Sequence, residues 1–248
     1  MSQDASFDLT ALTHLDGVVL RLVEQQGAQA TRRITDSLDE QAWLEDFLEA
    51  SKPNLPDPEE CPVRHRLLLT PFRYRKRHST RFATRWERGL FHGSRSRFGC
   101  LLEGAYYELV FQDGPEQPFP RRSARRKTLF PVEVQTPMGL RLQEQGSRAV
   151  QASLRDPVDS RFSQGIGLRM REAGIQAFEY HSARSAEDVV QFGALSCCVF
   201  ATTPFDQVDV QVEASAHEVS FRCLDDNSVH HFQRQQFELK GKLPQPMH

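Results

Sequence analysis

Hydrophobic and polar positions divide the chain at a proline-rich segment. Within residues 8–27, Leu9, Leu12, Leu15, Val18, Val19 and Leu22 recur at helical spacing, which predicts an amphipathic helix. The stretch ending at Ala50 repeats the signal: Leu38, Ala42, Phe47 and Leu48 share a face, and Ser37 with Glu40 forms an S-x-x-E capping box. Residues 52–62 then hold four prolines in eleven positions, so neither a helix nor a central strand can continue through them. The pattern thus predicts an N-terminal helical extension over 1–51, a linker over 52–62 and a main domain over 63–248.

Beyond the linker, residues 65–70 and 89–94 read as short β-like runs. The run 98–111 (FGCLLEGAYYELVF) is apolar or aromatic nearly throughout and predicts a largely buried helix, with Tyr106 and Tyr107 in the core. A basic cluster, 121–127, follows two prolines and reads as a loop; 129–135 reads as β-structure. Farther on, 161–173 predicts a helix closed by Gly174, and 175–180 a strand. Two last strands, 219–223 and 230–237, flank the turn residues 225–228 as a hairpin. This order predicts an α+β fold: a mixed β core with flanking helices, preceded by the small helical extension.

Composition narrows the class of function. With 248 residues and 39% hydrophobic content, the chain can bury one substantial core and an appendage. A net charge of -2 and a pI near 6.5 give no overall field for nucleic acid or an anionic membrane. No apolar stretch is long enough to span a bilayer, and the first residues carry acids where a signal peptide carries lysine or arginine. The expectation is a cytoplasmic protein with no membrane partner. Five cysteines without a CxxC spacing predict neither a disulfide scaffold nor structural zinc, and Cys197 and Cys198 in GALSCCVF read as part of a buried strand. His181 and the pair His230 and His231 lack a carboxylate or cysteine at ligand spacing, so no metal is expected. The absence of GxGxxG after a strand argues against a Rossmann site.

Candidate chemistry lies in residues 64–97, where eleven lysines and arginines face a single acid, Glu87. Phe72, Tyr74, Phe82, Trp86 and Phe91 are interleaved with them. Guanidinium groups chelate phosphate and aromatic rings stack on bases, so the mixture suits a ligand carrying both. A solvated basic face covering apolar surface with its aliphatic stems has the same composition, and composition alone leaves both readings open.

Three blocks within this chain resemble a known family. The run STRFATR (79–85), then LFHGS (90–94), then Glu103 within LLEGAYY is similar to the first half of the RES domain, named for its arginine, glutamate and serine. The segment GIQAFEYHSAR (174–184) is similar to its later serine-bearing strand end. The blocks keep the family's order across residues 64–200, and Arg81, Glu103 and Ser182 fall on the three name-giving positions. One position departs: the family often has a tyrosine eleven residues before the glutamate, and here His92 stands there with Phe91 beside it. Histidine can stack and donate a hydrogen bond, but it titrates near neutrality.

The resemblance implies an ADP-ribosyltransferase-like fold and NAD as substrate, consumed by hydrolysis or phosphorolysis, without a metal. It implies Glu103 beside the ribose, where a carboxylate stabilises an oxocarbenium-like transition state, and Arg81 on the pyrophosphate. Ser182 would bond the nicotinamide amide or a ribose hydroxyl. His92 or Tyr74 would stack on the nicotinamide ring, with Phe91 in the same ring-binding set. The family's usual partner is a small helix-turn-helix antitoxin, which makes the chain the toxin of a bacterial toxin–antitoxin pair. The apolar stripes of the N-terminal extension would pack on the domain or form a homodimer interface. Two alternatives stand beside this: a protein ADP-ribosyltransferase, and a non-catalytic RES domain that binds nucleic acid or protein through its basic stretches. The enzyme reading does not require nucleic-acid binding.

Overall fold

The structure, a computed structural model, describes residues 7–25, 31, 34–74, 78–114 and 123–245. Its first element corrects the sequence reading. Residues expected to form a helix are strand β1 (Thr13–Glu24). Leu15 and Val19 pack into one core cluster while Leu20 and Leu22 pack against another, so β1 is apolar on both sides. Such a strand reads as a continuous run, here VVLRLV, and its leucine spacing imitates a helix. The N-terminal segment through Glu24 therefore belongs to the main sheet instead of a helical appendage.

Helix α1 (Leu38–Ala50) forms as expected. Ser37 Oγ accepts from Glu40 N at 3.1 Å, and Glu40 Oε2 accepts from the backbone N of Asp36 at 2.8 Å, one residue outside the usual capping box. The run 65–70, expected as β-like, instead opens helix α2 (Arg66–Arg73), with His65 as its N-cap. Leu68, Leu69 and Phe72 share its buried side, a helical period too short to display itself within six residues. Cys61, just before α2, is joined to Cys197 by a disulfide. The sequence reading expected no disulfide scaffold and did not foresee this single bridge, because a separation of 136 positions leaves no spacing signature. Cys197 itself lies in a single 3-10 turn (Cys197–Val199) and not in a strand.

Strand β2 (Phe91–Ser94) leads directly into α3 (Arg97–Asp113), the helix predicted over 98–111. The basic cluster read as a loop is strand instead as far as it is described. Residues 123–127 open β3 (Ser123–Arg141), while Arg121 and Arg122 lie outside the described residues. Two helices, α4 (Arg148–Leu154) and α5 (Arg161–Glu172), cross over to β4 (Ala177–His181). Gly174, in the left-handed region with φ 71°, follows the end of α5 as predicted. The chain finishes as β5 (Val190–Ala194), β6 (Val208–Ala214), β7 (Glu218–Cys223) and β8 (Val229–Gln233). The turn of the expected β7–β8 hairpin contains Asn227 with φ 56°.

All eight strands share one sheet in the order β1-β2-β5-β4-β3-β6-β7-β8, and β1 also pairs with β3. That extra pairing, from Thr13 opposite Gly139 to Glu24 opposite Lys127, closes β1, β2, β5, β4 and β3 into a ring. Among the described strands, only β3 and β4 run parallel, as the helical crossover between them requires. Helix α3 packs over β1, β6, β7 and β8, where Leu101, Leu102, Ala105 and Leu109 meet Val210, Val212, Val219 and Phe221. The opposite side of β3 turns Phe130, Val132 and Val134 toward Leu68, Leu69, Phe72 and Phe200. The result is the α+β architecture that the order of elements predicts.

Candidate active site

Helix α3 starts at Ser96, whose Oγ accepts from Gly99 N at 3.0 Å. Its apolar side is spent on the sheet, and Glu103 and Tyr107, one turn apart, face a cavity of about 300 Å³. The same cavity is lined by Arg81 from the loop before β2, His92 and Gly93 of β2, Tyr180 of β4, Arg184, and Arg21 and Lys127 from β1 and β3. Residues 156–158 complete one side.

The three residues on the name-giving positions come together here. Ser182, immediately after β4, is fully buried, and its Oγ donates to Glu103 Oε1 at 2.6 Å. The same oxygen accepts from Arg184 N at 3.0 Å, and Ser182 N donates to Val189 O at 2.8 Å. Ser182 thus stands behind Glu103 and fixes its carboxylate, with its one proton already committed. The structure shows this hydroxyl against Glu103.

Arg81 is held by its loop. Phe82 is buried with its ring edge-on to Phe178 and Tyr180, at centroid distances of 4.6 and 4.7 Å. Thr80 and Ala83 form a β-bridge across the turn, and Gln164 Nε2 of α5 donates to Thr80 O at 3.0 Å. Gly167 of α5 lies so close beneath that a Cβ there would fall on the Phe82 carbonyl oxygen. Arg81 Nη1 donates to the carbonyls of Leu154 and Asp156, at 2.8 and 3.0 Å. Burial, and then the neighbouring Arg184, lower its affinity for its proton, although an arginine keeps its charge at neutral pH. Its remaining N–H groups are without partners among the described residues, which suits a fork waiting for an anion.

Arg184 lies with its Cζ 3.5 Å from the centroid of Tyr106 and donates from Nη1 to Pro157 O at 3.1 Å. Tyr106 is core, as expected, its hydroxyl donating to Pro244 O at 2.7 Å. Tyr107 is not core: it is 52% exposed and lines the cavity, because the helix turns this position away from the sheet. Tyr180 was missed as a lining residue; burial, and then Glu103, push its hydroxyl up, so it is a neutral donor. Burial also holds the Cys100 thiol at about 12, which excludes it as a thiolate nucleophile.

Among the other residues singled out, His92 lines the cavity and Tyr74 and Phe91 do not. Tyr74 caps the C-terminus of α2 at the surface beside Arg73. Phe91 is buried against Phe200, with ring centroids 5.0 Å apart. In the basic stretch, Arg75, Lys76 and Arg77 lie outside the described residues. Two cations of the cavity, Arg21 and Lys127, were not found, since one was placed in a helix and the other in a loop. Among the described residues, no group of three or more His, Cys, Asp or Glu side chains converges as metal ligands, and no helix is long and apolar enough to cross a membrane.

Fold and site together define a domain that gathers arginine, glutamate and serine at one cavity of an α+β sheet. Residues 58–222 match the RES domain, and the chain belongs to that family. No curated protein matches it. The matched region takes in Arg81, Glu103 and Ser182 and leaves out β1 with Arg21.

Proposed function

We propose that the chain cleaves the nicotinamide–ribose N-glycosidic bond of NAD, as the cytoplasmic toxin of a toxin–antitoxin pair. The observation that carries the reading is Glu103, held at 2.6 Å by a buried serine at the wall of a cavity that also contains arginines. Nicotinamide leaves NAD as a neutral molecule: the C1′–N bond breaks with its electron pair on the ring nitrogen, which cancels the ring's positive charge. No proton has to be delivered to the leaving group, so one ionised carboxylate does the work for which ordinary glycosidases use two.

Positive charge then develops on the ribose, and Glu103 stabilises it from a fixed position. Ser182 is the positioning residue, because it spends its hydroxyl on Glu103 instead of on the sugar. Tyr107 and His92 offer ring faces to the nicotinamide, and the Arg81 fork takes the pyrophosphate. Water or phosphate adds at C1′, giving ADP-ribose and a proton in the first case and a phosphorylated ADP-ribose in the second. A volume of about 300 Å³ is at the lower end for a small-molecule site, so the nicotinamide riboside half is enclosed and the adenylate lies toward the rim. The partner is a small helix-turn-helix antitoxin that covers this cleft.

Binding and turnover measured on two variants test the assignment. Glu103→Gln keeps the shape and a hydrogen-bonding oxygen for Ser182; it is expected to bind NAD as before while turnover falls by about 10²–10³. Arg81→Ala is expected to lose NAD binding itself. Turnover that survives Glu103→Gln would remove this residue from the chemistry.

A further inference from the structure

Arg21 lies outside the matched region and has no part in the reaction just described. Its side chain projects from β1 into the cavity wall, with Cζ 4.5 Å from the centroid of the Phe91 ring. Its Nη1 is buried and has no hydrogen-bond partner among the described residues. Each of the other described lysines and arginines of the cavity is tethered by at least one bond to the protein. Lys127 Nζ pairs with Glu24 at 2.6 Å and Glu108 at 2.8 Å, Arg184 Nη1 bonds Pro157 O at 3.1 Å, and Arg81 Nη1 bonds two carbonyls. A guanidinium kept at a cavity wall with no carboxylate to neutralise it is suited to a mobile anion.

Position separates this arginine from Arg81. The ionisable neighbour that acts on Arg21 is Cys100, one helical turn before Glu103 on α3, whose Sγ lies 3.0 Å from Leu20 O. Arg21 lies over the Phe91 ring, whereas Arg81 is tied to the carbonyls of Leu154 and Asp156. The two guanidiniums therefore address different parts of one cavity. We propose that Arg21 forms a second anion seat that takes a phosphoryl group distinct from the one at Arg81. The group is supplied either as free phosphate or by the nucleotide itself. Its use in the reaction rests on the NAD reading; its affinity for phosphate does not. Burial lowers Arg21 to about 10, which leaves it protonated at neutral pH and ready to pair.

Thermal denaturation of the full chain, alone and with inorganic phosphate or ADP-ribose, tests the proposal on Arg21→Met and Glu103→Gln. Methionine fills similar space without the charge, and removal of an uncompensated buried cation is expected to leave the melting temperature of the ligand-free protein unchanged or higher. Phosphate is expected to raise the melting temperature of the unmodified chain and of Glu103→Gln, with affinity reduced about tenfold or more in Arg21→Met. A loss seen only with ADP-ribose would assign the seat to a phosphoryl group of the nucleotide. Equal shifts in Arg21→Met and the unmodified chain with both ligands would overturn the proposal. Should Arg21→Met not fold, the Arg21 side-chain Nε–H resonance followed during phosphate and ADP-ribose titrations of the unmodified chain decides the matter, and an unmoved resonance in both overturns it. Phosphate binding without NAD turnover would overturn the NAD reading alone.

Discussion

Helices α1 and α3 begin alike and end up in different surroundings. Each starts at a serine that accepts from the backbone N–H three residues on, Ser37 from Glu40 and Ser96 from Gly99. Helix α3 buries Leu101, Leu102, Ala105 and Leu109 under the sheet. Helix α1 leaves Leu38, Trp43 and Phe47 exposed at 73, 67 and 58%, with Trp43 and Phe47 stacked on each other. Its described ion pair to the rest of the chain runs from Glu49 to Arg73. A cap decides where a helix begins, whereas burial decides whether the domain depends on it. The site residues follow the buried helix: Glu103 has a fixed position because the turns on either side of it are locked to the core.

Leu101→Ala should break α3 most severely, at about 2–5 kcal/mol, because a fully buried leucine leaves a cavity in a packed layer; urea denaturation measures it. Next in size, Gly167→Ala pushes a methyl group against the Phe82 carbonyl, for a cost of about 1–3 kcal/mol, and displaces the Arg81 loop. NAD affinity should fall with it, as calorimetric titration would show. Removal of the two caps separates the helices directly. Ser96→Ala should cost about 1 kcal/mol of global stability, and Ser37→Ala should leave the main unfolding transition unchanged.

A pH effect of similar or smaller size is expected at α2. Burial, and then Arg66, hold His65 below the usual imidazole value, while its Nδ1 accepts from Leu67 N at 3.3 Å. The unfolded chain then takes up a proton first, so stability is complete above about pH 6.5 and is lost as pH falls toward the lower folded-state value. His181, also lowered by burial, acts in the same direction. His65→Asn caps the helix at every pH and should flatten the slope of melting temperature between about pH 7.5 and 5.5. Smallest of all, Trp43→Ala on the exposed face of α1 should change stability by less than about 0.5 kcal/mol. A larger loss would show that α1 is packed on the domain after all.

The same contrast explains what the sequence disclosed. Elements with a clear period and a proper stop were legible: α3, α5 with Gly174 behind it, and the β7–β8 hairpin. Strand β1 was not, because burial on both sides removes the alternation by which a strand is recognised. The beginning of β3 was hidden by its charges, which pair with acids on neighbouring elements: Lys127 with Glu24 of β1 and buried Glu108 of α3, Arg125 with Glu108. At the site, the structure brings Glu103, Arg81 and His92 to one cavity. That the Ser182 hydroxyl faces Glu103 was not legible, since only the fold brings the two together. Tyr74 and Phe91 were chosen for their rings, whose direction sequence does not encode. Arg21 was lost together with the strand that carries it.

Release of nicotinamide from NAD by the purified full chain, followed by chromatography beside Glu103→Gln, is the most direct test of the central claim. The account predicts that nicotinamide accumulates with the unmodified protein and is reduced by about 10²–10³ in the variant, at unchanged melting temperature. No release from a folded chain, or equal release from both proteins, would contradict it.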